Sequence, residues 1–212
     1  MLNKVSWQQA LLSPRAYWVW YAILAMPLFG LVWALFQDAL GANPAEALSR
    51  ATGDWTLRLL CLVLAISPLR YVLRAPALLR FRRSTGVACF MYAVLHLLCY
   101  VWFDQNFEIN EIAKDLVKRP FIWVGMLGFV FMLPLALTSF NAAVRWLGGK
   151  RWQQLHRLVY LLPVFALLHF YWMRAGKNDF DEVYVYAAVF MVWLLARLWV
   201  AKLQPNKKAP AV

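Results

Sequence analysis

Six long apolar runs separated by short polar stretches organise the chain, at about 16–36, 54–73, 84–103, 120–141, 153–173 and 183–201. A helix crossing the hydrocarbon of a bilayer needs about 20 largely apolar residues, and each run meets that length. The pattern therefore predicts an all-α integral membrane protein, a six-helix transmembrane bundle. The runs at 84–103 and 120–141 carry no charge, and Arg58, Arg70, Arg157 and Arg197 are expected near helix ends, where a long side chain reaches the interface. Pro27, Pro68, Pro134 and Pro163 fall inside the runs, a placement that membrane helices tolerate. The first run is too long for a signal h-region and no small-residue cleavage site follows it, so it reads as a retained helix.

Composition agrees with this pattern: 63% of the 212 residues are hydrophobic and only 15% are charged. The three cysteines, Cys61, Cys89 and Cys99, all fall inside predicted spans and read as packing residues rather than a disulfide framework. The net charge of +12 would fit a nucleic-acid partner if it were spread over a surface. It is sorted instead. All ten acidic residues lie at 38–54, 104–115 and 179–182, whereas the N-terminus, the 70–83 and 142–157 loops and the tail are basic. That alternation is the positive-inside rule, and it places both termini in the cytoplasm. No glycine-rich phosphate loop follows a strand, which excludes a Rossmann or P-loop nucleotide site. The loops are short, and the last residues, QPNKKAPAV, read as a frayed basic tail.

The chemistry rests on three histidines, His96, His156 and His169. Ionisable groups inside a bilayer are rare and mark function. The third span runs outward and brings His96 about two-thirds of the way across, while the fifth brings His169 to a similar outer depth and leaves His156 near the inner end. Two neutral imidazoles facing one another are what a low-spin haem iron takes on its two axial positions. The expectation is a haem held between helices 3 and 5 by His96 and His169. His156 lies thirteen residues before His169, ~20 Å along a helix axis, at a clearly different azimuth. A kink at Pro163 is one way to re-aim the outer half. His156 has no histidine opposite it. Arg82 stands at the matching depth, either as a partner for a haem propionate at a second haem or as a topology anchor, so one haem is the expectation and a second remains open. Phe90, Tyr92, Tyr100, Trp102, Tyr160, Phe165, Phe170, Tyr171 and Trp172 are candidate walls. A histidine-relay proton or solute transporter, or a non-redox membrane anchor, are the competing classes.

The stretches RRSTGVACFMYAVLHLLCY (82–100) and GKRWQQLHRLVYL (149–161) resemble the third and fifth helices of the ferric-reductase-like transmembrane family. ATGDWTLRLL (51–60), ISPLRY (66–71), KRPFI (118–122) and ALTS (136–139) follow in the matching order, so the resemblance covers nearly the whole chain as a single domain, 1–212. It implies a b-type cytochrome subunit of a bacterial inner membrane, itself not the catalytic subunit. Such a subunit hands electrons from the quinone pool, or from a flavin donor with FMN or a cytoplasmic flavin reductase, to a periplasmic molybdopterin enzyme that reduces methionine sulfoxide in oxidised proteins. It also implies that His96, His156 and His169 are the family's histidines, with Arg82 near a position where related reductases carry a fourth. The arginine-rich 69–83 loop is the candidate contact for an FMN phosphate, a flavin reductase or anionic lipid.

Overall fold

Prolines open many of the helices. In the computed structural model, which describes residues 4–176 and 178–203, Pro14, Pro44 and Pro120 each take the first turn of a long helix, where the missing N–H costs nothing. The elements are α1 (Lys4–Leu12), α2 (Pro14–Phe36), α3 (Pro44–Val72), a 3-10 turn (Pro76–Leu78), α4 (Leu79–Cys99) continued by a π turn (Tyr100–Asp104), α5 (Ile109–Lys118), α6 (Pro120–Leu137), α7 (Asn141–Leu147), α8 (Gly149–Leu155), a 3-10 segment (His156–Tyr160), α9 (Leu162–Ala175) and α10 (Asp181–Leu203). Among the described residues, six helical stretches are long and apolar enough to cross a membrane.

Four boundaries differ from the hydrophobic pattern. The second span begins at Pro44 rather than about 54, because Asn43 caps the backbone N–H of Glu46 at 3.2 Å and its amide reaches the Glu46 carboxylate at 3.4 Å. Polar residues thus extend α3 beyond its apolar run, and Arg58 falls in mid-helix, with Asp54 at 4.0 Å and its guanidinium over the Trp55 ring. The fifth span is broken. Pro163 has no N–H to offer Val159 and crowds its carbonyl, and the turn before it tightens to 3-10 geometry. The polar stretch 104–119 contains a helix, α5, and the 142–157 stretch contains α7 and α8. The tail QPNKKAPAV, with Lys207 and Lys208, lies outside the described residues.

α3 packs along α4, α10 along α3 and α6 along α9. Leu57, Leu60 and Leu64 of α3 meet Cys89 and Tyr92 of α4, and Phe170 and Phe190 from α9 and α10 complete this core. Tyr92 ties in α2: its hydroxyl donates to the Leu24 carbonyl and accepts the Leu28 N–H, both at 3.0 Å, so it stands inside one rung of the helix ladder beside Pro27. The remainder of α2 shows Trp18, Phe29, Trp33 and Phe36 outward, a surface suited to lipid.

Candidate functional site: two histidines facing one cavity

α4 and α9 each deliver one imidazole to a cavity of about 610 Å³ enclosed by α3, α4, α6 and α9. The ring centroids of His96 and His169 are 6.1 Å apart with planes at 82°. A metal–imidazole bond is about 2 Å long and the centroid lies about 1 Å beyond the nitrogen, so two imidazoles on opposite sides of one ion hold their centroids about 6 Å apart. The observed separation matches that spacing, and it is also the spacing of an edge-to-face ring pair.

Both rings are oriented by backbone. His96 Nδ1 lies 2.8 Å from the Ser49 carbonyl of α3, and His169 Nδ1 lies 2.6 Å from the Phe121 carbonyl of α6. A carbonyl only accepts, so each Nδ1 carries the proton, and a neutral ring then presents its lone pair at Nε2. Orientation of this kind is how ligating histidines are held. Among the described residues there is no group of three or more His, Cys, Asp and Glu.

The walls are apolar: Leu57, Leu60, Phe129, Phe165 and Phe170 line the cavity, with Gly53, Gly125 and Gly128. One mouth is charged, gathering Glu46, Arg50, Asp54, Asp104, Arg119, Arg174 and Glu182 from the ends of five elements. Arg174 bonds Asp179 at 2.6 Å and Glu182 at 2.5 Å, which fastens α9 to the start of α10. Arg50 pairs with Glu46 at the same mouth.

The third histidine stands elsewhere. His156 opens the 3-10 segment and stacks on Trp152 with centroids 3.9 Å apart. Its Nδ1 lies 3.1 Å from the Trp152 carbonyl, and its Nε2 is buried without a hydrogen-bond partner among the described residues. Arg82 and Arg83 are near enough to act on it electrostatically. Because residues 156–160 are not α-helical, the azimuth difference expected for one continuous helix does not apply. Of the aromatic candidates, Tyr100, Phe165 and Phe170 line the cavity. Phe90 stacks on Phe129 at 5.4 Å, Tyr92 serves α2, and Trp102, Tyr171 and Trp172 are exposed. Phe121 and Phe129, the two acceptor carbonyls and the charged mouth were missed by the sequence reading. Carbonyls leave no trace in a sequence, and the charges of the mouth come from stretches far apart along the chain.

Six apolar helical stretches, two of which bring an imidazole pair together, define a multi-pass membrane protein of the helix-bundle class. The family described as ferric reductase like transmembrane component matches residues 52–168. The protein-methionine-sulfoxide reductase heme-binding subunit MsrQ of Polaromonas naphthalenivorans is 56% identical over 192 residues, 91% of this chain and 88% of that protein. The MsrQ of Herminiimonas arsenicoxydans is 50% identical over 84% of this chain and 82% of its own length, and that of Caulobacter vibrioides 44% over 91% and 90%. The chain belongs to the ferric-reductase-like transmembrane family and, within it, to the MsrQ group. No solved structure matches it.

Proposed function

We propose that this chain is the haem-binding, electron-transferring membrane subunit of a protein-methionine-sulfoxide reductase system, with haem b held by Nε2 of His96 and Nε2 of His169. The observation that carries the reading is the imidazole pair, 6.1 Å between centroids with both Nδ1 atoms tied to carbonyls. The group fits: the cavity of about 610 Å³ is within the range of cofactor sites, about 300–1,000 Å³, and its apolar walls are what a macrocycle needs. The relatives are named for haem binding and for the reductase they serve.

Haem iron supplies a one-electron ferric/ferrous couple. The Ser49 and Phe121 carbonyls fix the tautomer of each ligand. Leu57, Leu60, Phe129 and Phe165 keep water from the pair. Arg50, Arg119 and Arg174 stand at the mouth, positioned to balance carboxylates. His156, stacked on Trp152 with no second histidine, is assigned no ligand role, and one haem per chain is the reading; two per chain would restore His156 as a ligand near Arg82.

Electrons enter at the basic, cytoplasmic end, from a quinol in the bilayer or from a flavin donor, FMN or a cytoplasmic flavin reductase, at the 69–83 segment. That segment offers a second cavity of about 540 Å³ lined by Arg70, Tyr71, Arg74 and Pro76. They leave at the acidic, periplasmic end to a molybdopterin methionine sulfoxide reductase of the MsrP kind. The docking element is α5, whose Glu108 and Glu111 are exposed. Glu111 is held below the usual glutamate range by its hydrogen bond to Lys114, at 2.5 Å, so its charge persists as pH falls through that range. Reversing both, Glu108→Lys with Glu111→Lys, slows reduction of the partner about tenfold at low salt, less at high salt, and leaves the haem spectrum unchanged. Stopped-flow rates against ionic strength check this. Asp115 is excluded from that test because its carboxylate also accepts the buried Gln105 amide at 2.6 Å.

The reading as a whole is tested by a reduced-minus-oxidised visible spectrum of the purified protein. It predicts a low-spin b-type signal at about one haem per chain. A colourless protein overturns it, and pH-dependent solute flux from such a protein would establish the histidine-relay transporter instead.

A further inference from the structure

Each imidazole of the pair lies against a glycine, and both glycines occupy the same place relative to the acceptor carbonyl. His96 bonds the carbonyl of Ser49, and Gly53 follows four residues later in α3; His169 bonds that of Phe121, and Gly125 follows four residues later in α6. In an α-helix the carbonyl of residue i already accepts the N–H of residue i+4. Its second lone pair is free for a side-on donor, provided nothing stands beside it. Helical side chains lean back toward the N-terminus, so the Cβ of residue i+4 projects over the turn that carries that carbonyl. With glycine at i+4, an imidazole takes that space.

The distances show how tight this is. A Cβ on Gly53 would lie 3.1 Å from His96 Cε1 and 3.2 Å from Nδ1. A Cβ on Gly125 would lie 2.7 Å from His169 Nδ1 and 2.8 Å from Cε1. The atoms met are Nδ1, which makes the hydrogen bond, and its ring neighbour Cε1; the His169 ring is further confined by Phe121, 5.9 Å away between centroids. The other glycines of the membrane helices differ. At Gly30 and Gly86 a Cβ meets nothing within 4 Å, and at Gly128 it meets only Phe165 Cβ, at 3.3 Å.

We propose that Gly53 and Gly125 are positioning residues of the haem site, each clearing the face of a carbonyl so that a ligand histidine can donate Nδ1–H to it while aiming Nε2 at the iron. The inference rests on the haem reading above and adds two residues to it. It also assigns them unequal weight, with Gly125 the stricter. The hydrogen bond raises the basicity of the ligand nitrogen and so favours ferric iron; weakening it raises the midpoint potential.

The test uses the solubilised holoprotein with Gly125→Ala, Gly53→Ala and Gly86→Ala, read by electron paramagnetic resonance of the ferric low-spin signal and by redox titration. The expected series is no change for Gly86→Ala, shifted g-values and a raised potential with haem retained for Gly53→Ala, and conversion of most of the haem to high spin for Gly125→Ala. Alanine is the better helix former, so weakening of the helix does not account for such losses. If wild-type and Gly125→Ala share g-values and potential, or if Gly86→Ala shifts as far as Gly125→Ala, the inference is overturned while the haem reading stands. A wild-type protein without low-spin haem overturns the reading itself. Should Gly125→Ala fail to accumulate, Gly53→Ala decides alone, and an unshifted signal counts against the proposal.

Discussion

His96→Ala or His169→Ala abolishes most of the low-spin haem signal, whereas His156→Ala leaves the greater part of it. The difference follows from geometry. His96 and His169 are the two imidazoles that face one cavity from α4 and α9, each with Nδ1 occupied by a carbonyl. If the two rings hold haem iron as proposed, removing either would take one of its two imidazole ligands, and the low-spin state would need both. His156 stacks on Trp152 in the 3-10 segment and contributes no nitrogen to the pair. Its effect is confined to the packing of that segment. Each alanine also removes volume from beside Gly53 or Gly125, so added imidazole should recover part of the low-spin signal in the His96 and His169 variants. Recovery separates loss of a ligand from loss of the fold. Full spectra in both alanine variants would remove the ligand assignment, and a bleached His156→Ala would return that residue to the iron.

A topology reporter fused in turn near residues 40, 107 and 178 reads periplasmic, and one fused near 75, 147 or the C-terminus reads cytoplasmic. This all-or-none pattern decides which end of the bundle meets the partner. Its basis is the way the charges are satisfied. Among the described residues, the ion pairs Glu46–Arg50, Glu111–Lys114, Asp115–Arg119 and Arg174 with Asp179 and Glu182 lie at the acidic end, and the remaining pair, Asp54–Arg58, lies inside α3; none lies at the basic end. At the other end the cations rest on rings, amides and carbonyls. Arg80 donates to the Leu11 carbonyl at 2.7 Å and covers the Tyr17 ring, Arg83 donates to the Asn141 amide oxygen at 2.6 Å, and Arg197 covers the Tyr160 ring. Cations left without carboxylates resist translocation and are attracted to the anionic inner leaflet. Inverted reporters would place the imidazole pair near the cytoplasm and remove the periplasmic partner from the scheme.

The amino-acid sequence by itself determined the six apolar spans, since about 20 apolar residues have nowhere better to go than a bilayer, and the separation of acid from base along the chain. It also determined that His96 and His169 lie at similar depth, because the third and fifth spans run in the same direction and each carries its histidine toward the same end. Local chemistry marked some boundaries that hydrophobicity alone missed. The Asn43–Pro44–Glu46 start of α3 is such a case, and so is the tightening before Pro163. The tertiary structure alone decided that the two rings stand 6.1 Å apart, that Ser49 and Phe121 orient them, and that His156 turns to Trp152. The reason is physical. Depth in a membrane follows from counting residues along one helix, but azimuth and ring direction depend on which helices touch. Backbone carbonyls are the same for every residue, so which of them faces an imidazole is settled only when α3 meets α4 and α6 meets α9. Two glycines let those contacts close.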